Sequence, residues 1–116
     1  MSIQRFEVGP RMSQAVAYNG IVTTAGQVAL DSAGKSVAEQ TREVLGRIDA
    51  LLAAAGTDKS KVLTATIWLA DIGTFAEMNS VWDGWVSPGN TPARATVEAK
   101  LAAPAFQVEI QVTAAI

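Results

Sequence analysis

The chain of 116 residues contains no cysteine and no histidine, and these two absences remove much of the usual catalytic repertoire. A thiolate nucleophile, a Ser-His-Asp arrangement, an imidazole acid or base and the common zinc sites are all excluded. An all-carboxylate metal cluster would need acids at ligand spacing, and the 11 acidic residues are scattered, so no metal and no cofactor is expected. Proton chemistry therefore falls to Asp, Glu, Lys, the lone Tyr18 or bound water. Charge is also scarce, at 17% of residues, against roughly 25% in ordinary globular proteins. With 9 basic and 11 acidic residues, a net charge of -2 and no run of one sign, there is no electrostatic footprint for nucleic acid or anionic lipid. No apolar run approaches the roughly 18 residues of a membrane span, and "MSIQRFEVGP" lacks the apolar segment of a secretion signal. A soluble cytoplasmic protein is expected.

What is present is apolar. Hydrophobic residues make up 49% of the chain, a length that suits one domain, residues 1–116, with a real core. Part of that apolar surface is expected to be covered by other subunits.

The elements follow from local signals. Asn19-Gly20 between Ser13–Tyr18 and Ile21–Ala25 is a strong hairpin cue, and Ile3 to Val8 can add a short first strand. Ser36 and Glu39 form an S-x-x-E capping box. After it, Val37, Thr41, Val44, Leu45, Ile48, Leu51 and Leu52 recur at helical spacing until Gly56 stops the helix. "VLTATIWLA", residues 62–70, is rich in β-branched residues and apolar on both faces, as in a strand covered on both sides. Thr74 and Glu77 repeat the capping pattern ahead of a second helix with Phe75, Met78, Trp82 and Trp85 on its stripe, ending near Pro88-Gly89. Two further strands, Arg94–Lys100 and Val108–Ala114, flank "LAAPAF". If that segment closes a hairpin near Ala103 and Pro104, Arg94 lies opposite Thr113. The fold class is α+β, with two helices packed on one face of a mixed sheet.

Two charged residues stand out. Arg94 shares a strand face with Thr96 and Glu98, and its fork of donors fits a carboxylate in a bidentate manner that lysine cannot reproduce. An exposed arginine or an intersubunit ion pair is the plain alternative. Glu109 shares a face with Gln107, Gln111 and Thr113, where a carboxylate can simply be solvated. Gly26 in "TTAGQ" allows close backbone approach, or marks a β-bulge. Trp68, Trp82 and Trp85 read as core or interface residues rather than a stacking platform.

In order and spacing, "GPRMSQAV", "TTAGQVALD", "EQTREVLGRIDALLAAAG", "VLTATIWLADIGTFAEMNSVW", "TPARATVEAKL" and "VEIQVTAAI" resemble the Rid family of reactive intermediate deaminases, also called YjgF-like proteins. The likeness spans nearly the whole chain and is nearest to the short YoaB-like branch. The resemblance implies a chorismate-mutase-like fold and a homotrimer with ligand clefts between subunits. It also implies cofactor-free hydrolysis of enamines and imines, such as 2-aminoacrylate, to a 2-oxo acid and ammonia. By the same likeness, Arg94 binds the substrate carboxylate and Glu109 activates water. Thr96, Gly26, Ala25, Asn79 and Met12 fall at substrate-binding positions, although Asn79 suits a capping or packing role equally well.

Two of these positions depart from the family pattern: Met12 replaces an aromatic residue, usually Tyr, and Ala25 replaces a serine. Two cleft hydroxyls are thereby lost. A non-catalytic trimer that binds 2-oxo acids or related carboxylates is accordingly the alternative function. A ribonuclease or translation-inhibitor role, also ascribed to family members, fits poorly with an acidic chain without histidine.

Overall fold

The computed structural model describes residues 2–116. Its elements, in chain order, are β1 (Gln4–Val8), β2 (Ser13–Tyr18), β3 (Ile21–Thr24), β4 (Gln27–Val28), α1 (Val37–Ala54), β5 (Val62–Leu69), α2 (Phe75–Trp85), β6 (Ala93–Glu98) and β7 (Val108–Ala115). The strands form one mixed sheet in the order β1-β2-β3-β7-β5-β6, with β4 added against β7. Among the described residues only β5 and β6 pair in parallel. The buried side chains of β5 and β7 meet those of α1 and α2, so the core lies between the sheet and the helical layer.

Local chemistry explains most of the elements. Asn19 and Gly20 both take positive φ, 54° and 79°, which lets a two-residue turn match the twist of β2 and β3. Ser36 accepts a hydrogen bond from the Glu39 N–H and caps α1. At the other end, Gly56 at φ 85° lets its N–H reach the Ala53 carbonyl and the Thr57 N–H reach the Leu52 carbonyl, satisfying acceptors that the helix leaves open. The capping pair expected at Thr74 and Glu77 does not form. A 3-10 turn, Ile72–Thr74, precedes α2 and is capped by Asp71; the Thr74 hydroxyl donates to the Asp71 carbonyl and caps nothing. Because the chain enters α2 already wound, its first N–H groups are not the ones that need a cap. Glu77 instead accepts from the Ala38 N–H at 2.9 Å, serving the N-terminus of α1. Near the other end of α2, Trp85 Nε1 donates to Asp49 of α1 at 3.0 Å.

The strand order corrects one expectation. β6 and β7 do not form a hairpin, because β5 lies between them. The connection instead straddles the end of β5: Ala99 N–H donates to the Leu69 carbonyl on one side, and Ala70 N–H to the Gln107 carbonyl on the other. Gln40, fully buried in α1, secures that connection. Its Nε2 donates to the Lys35 and Ala105 carbonyls, and its Oε1 accepts from the Gln107 N–H. β5 also departs from expectation. Ala65, Ile67 and Leu69 are buried against the helices, whereas on the opposite face Thr64 is exposed and Thr66 and Trp68 are half-buried, so that face of the sheet is open in the single chain.

No helix among the described residues is long and apolar enough to cross a membrane.

Candidate functional site

Arg94 and Glu109 are placed on opposite faces of the sheet. Arg94 pairs with Ala65, and Glu109 pairs with Trp68. Paired residues point to the same side, and two β5 residues three apart point to opposite sides. Arg94 therefore projects to the helical side and Glu109 to the open side. With β5 between their strands and a three-residue offset, their Cα atoms are separated by roughly 14 Å. The expected opposition of Arg94 to Thr113 is replaced by this arrangement. Across that separation one chain cannot clasp a three-carbon acid with both side chains.

The first half-site is built on β6 and α2. Arg94 is half-buried, and its Nη1 donates to Asn79 Oδ1 at 2.8 Å. The guanidinium carbon lies 5.5 Å from the Phe75 ring centroid and 5.2 Å from that of Trp82. Among the described residues the ion pairs all involve Arg47, so Arg94 has no carboxylate partner there. Two residues along the same strand face, Thr96 Oγ1 is buried with no hydrogen-bond partner, which carries an energetic penalty unless a ligand or water satisfies it. Asn79, expected to line the cleft, gives its carbonyl oxygen to Arg94. Phe75 and Trp82 were not anticipated beside Arg94; their spacing with Asn79, at i, i+4 and i+7, is the signal that places all three on one side of α2.

The second half-site is built on β7 and the break between β3 and β4. Thr23 pairs with Thr113 and Gln27 with Ile110, so four steps on one strand face three on the other. The extra residue makes a bulge at positions 24–26. Gly26 in that bulge lies against Glu109: a Cβ at position 26 would sit 2.8 Å from Glu109 Cδ. Both roles expected for Gly26, bulge and close approach, therefore coincide, although what approaches is the Glu109 side chain. Burial pushes the Glu109 carboxyl above its ordinary range, since a charge leaving water favours its neutral form. No hydrogen bond or ion pair to this carboxylate forms among the described residues.

Ala25 adjoins Gly26, its N–H held by the Gln14 carbonyl at 2.8 Å. Met12 is 52% exposed and walls a groove of about 430 Å³ with Gln14, Gln27, Arg47 and Leu51. That groove adjoins α1, and none of the Arg94 cluster lines it.

An α+β chain with an unpaired cation on one side of its sheet and an unpaired, desolvated carboxylate on the other has the makings of a small-molecule site divided into halves. Comparison with known proteins places it more closely. The model of the family described as Endoribonuclease L-PSP matches residues 2–116, and the chain belongs to that family, whose members also carry the names YjgF, RutC and Rid. It is 40% identical to the RutC family protein YoaB of Escherichia coli (strain K12) over 116 residues, all of both chains. The crystal structure of NMB1025, a YjgF family member from Neisseria meningitidis, superposes with a TM-score of 0.95 at 51% identity, covering 99% of this chain and 95% of that one. YyfA of the conserved Rid family, from Yersinia pestis, gives a TM-score of 0.86 at 35% identity over 94% of this chain and 90% of its own.

Proposed function

We propose that the protein hydrolyses reactive enamine and imine intermediates of the 2-aminoacrylate type to a 2-oxo acid and ammonia, in clefts shared between the subunits of a homotrimer. The observation that carries this reading is the pair of unpartnered charges on opposite faces of one sheet. A half-buried cation without a counter-ion and a desolvated carboxylate without a partner are each unfavourable. A neighbouring copy that brings its Arg94 face to this copy's Glu109 face would place both around one small ligand.

The chemistry fits the available groups. Arg94 holds the substrate carboxylate through a charge-assisted bidentate contact. The enamine tautomerises to the imine, and the protonated imine is already electrophilic at C2. Glu109 takes a proton from water as the oxygen bonds to C2. The resulting carbinolamine accepts a proton on nitrogen, the C–N bond breaks with its electrons going to nitrogen, and loss of the hydroxyl proton leaves the 2-oxo acid and ammonia. A carboxyl whose proton affinity is raised by burial suits both taking and returning that proton, and such a base contributes on the order of 10² to 10⁴ in rate. No imidazole is required. In this reading the Thr96 hydroxyl and the backbone at Gly26 meet polar groups of the ligand, while Met12 and Ala25 bring no hydroxyl to it.

The test is ammonia release from 2-iminopropanoate generated in place by an amino-acid oxidase acting on alanine. Hydrolysis above the spontaneous rate is expected. No acceleration, or a monomer at micromolar concentration in sedimentation, would reject the reading. The absence of hydroxyls at Met12 and Ala25 favours a second one, a trimer that binds 2-oxo acids without turning anything over. Pyruvate binding without ammonia release would identify it. A ribonuclease role fits poorly with a chain of net charge -2 that has no histidine.

A further inference from the structure

We propose that Phe75 and Trp82 are positioning residues: with Asn79 they hold the Arg94 guanidinium in one orientation, leaving a restricted edge to receive a planar carboxylate. This deepens the reading of Arg94 as the carboxylate binder and rests on it for the identity of the ligand, though not for the bracing itself.

β6 pairs with β5 alone and is the edge strand of the sheet. A long, flexible side chain on an edge strand ordinarily samples many rotamers and loses that freedom when it binds. Arg94 is instead engaged by three neighbours. Asn79 takes one donor: because a guanidinium has no acceptor, the Asn79 amide must present its oxygen, and Nη1 is committed at 2.8 Å. The two aromatic rings attract the guanidinium through their negative faces, with centroids 5.5 and 5.2 Å from its central carbon. Trp82 is 6% exposed and Phe75 38% exposed, so the brace has a dry side and a wet side. Water excluded on the Trp82 side strengthens the attraction, and the ligand approaches from the wet side.

The exposure of Phe75 gains meaning from this contact. An aromatic ring 38% exposed at the first residue of α2 contributes little to the core, yet it stands over the one functional cation nearby. Nε and Nη2 of Arg94 make no side-chain hydrogen bond among the described residues. Those donors are the ones left for a ligand. A guanidinium fixed in this way has less conformational freedom to lose on binding.

The test uses the full-length protein and four variants: Phe75→Leu, Phe75→Tyr, Asn79→Ala and Trp82→Phe. Relaxation of the Arg94 ¹⁵Nε signal in the ligand-free protein reads the brace directly. Calorimetric titration with pyruvate reads its consequence. Phe75→Leu and Asn79→Ala are expected to lower the order of the Arg94 Nε–H and to weaken pyruvate binding about three- to tenfold. For imine hydrolysis, Phe75→Leu should raise KM by a similar factor with kcat close to the parent value. Phe75→Tyr and Trp82→Phe, which keep a ring, should restore both readouts. Unchanged Arg94 order in Phe75→Leu overturns the brace, and so does unchanged pyruvate affinity once Arg94 has become mobile. If the parent protein binds no pyruvate while Phe75→Leu still loosens Arg94, the brace stands and the assignment of Arg94 to the carboxylate fails.

Discussion

Gly26 and Glu109 touch so closely that position 26 has no room for a methyl group: a Cβ there would lie 2.8 Å from Glu109 Cδ. Gly26 does not have a positive φ, so alanine is acceptable to the backbone and only the carboxylate must move. Gly26→Ala should therefore fold with a melting temperature within a few degrees of the parent. It should slow imine hydrolysis by about tenfold or more, because displacement of a catalytic group by even about 1 Å is costly. An unaltered rate would show that the seating of Glu109 on Gly26 has no part in catalysis.

Glu109→Gln separates function from stability. Burial raises the carboxyl's pKa in the folded state, so the ionised form is relatively disfavoured by folding. The parent protein then loses stability as pH rises from the unfolded pKa through the folded one. The glutamine variant should be the more stable protein at pH 7.5, and the advantage should disappear below about pH 4, as read from urea midpoints at both pH values. Over the same comparison, hydrolysis should fall by about 10² or more, with pyruvate still bound.

Arg94→Ala should fail differently. It removes a charge-assisted contact worth about 1.5 to 3 kcal/mol, so calorimetry should show pyruvate binding weakened by roughly 10- to 150-fold. Retention of parent affinity would place the ligand carboxylate elsewhere.

Glu43 predicts an acid-sensitive contact beside the Met12 groove, through its ion pair with Arg47. Burial alone would raise its pKa, but hydrogen bonds from the Ser32 hydroxyl, the Asp31 N–H, Arg47 and the Ser32 N–H together hold it at about 2. A lowered folded pKa stabilises the protein above the unfolded value of 4.5, and that contribution is lost as pH falls through about 2. Glu43→Gln should flatten the fall in urea midpoint between pH 5 and pH 2. A curve parallel to the parent's would count against this network.

Trp82→Ala removes a core ring that is 6% exposed and should cost about 3 to 5 kcal/mol, measured by urea unfolding at a fixed protein concentration. A cost below about 1 kcal/mol would mean that its packing is dispensable.

How much of this was legible in the sequence depends on how far apart the deciding residues lie. The β2–β3 turn, the Ser36 cap and the Gly56 stop each rest on a few adjacent residues, and each forms where local chemistry puts it. The place of β5 between β6 and β7 rests on its ladders to both, with Gln40 securing the connection at residues 105 and 107, relations across dozens of positions that no local pattern encodes. The candidate site is similar in kind. Residue type alone left Arg94 between a carboxylate contact and an exposed or ion-paired arginine, and Glu109 as a solvated carboxylate, and the family likeness gave both their functional roles. Their separation onto two faces required the register of β5 with both neighbours. The orphaned Thr96 hydroxyl and the Gly26 contact belong to packing and leave no mark in the pattern of residues.

The two helices are fastened to each other at both ends, Glu77 to Ala38 and Trp85 to Asp49, and Asn79 lies between those fastenings. An outer strand is ordinarily the part of a sheet that loosens first, because one of its flanks has nothing to grip. Here the cation rooted in that strand is suspended from a clamped pair of rods. Thermal breathing at the margin of the sheet can come and go while the charged tip stays in its place.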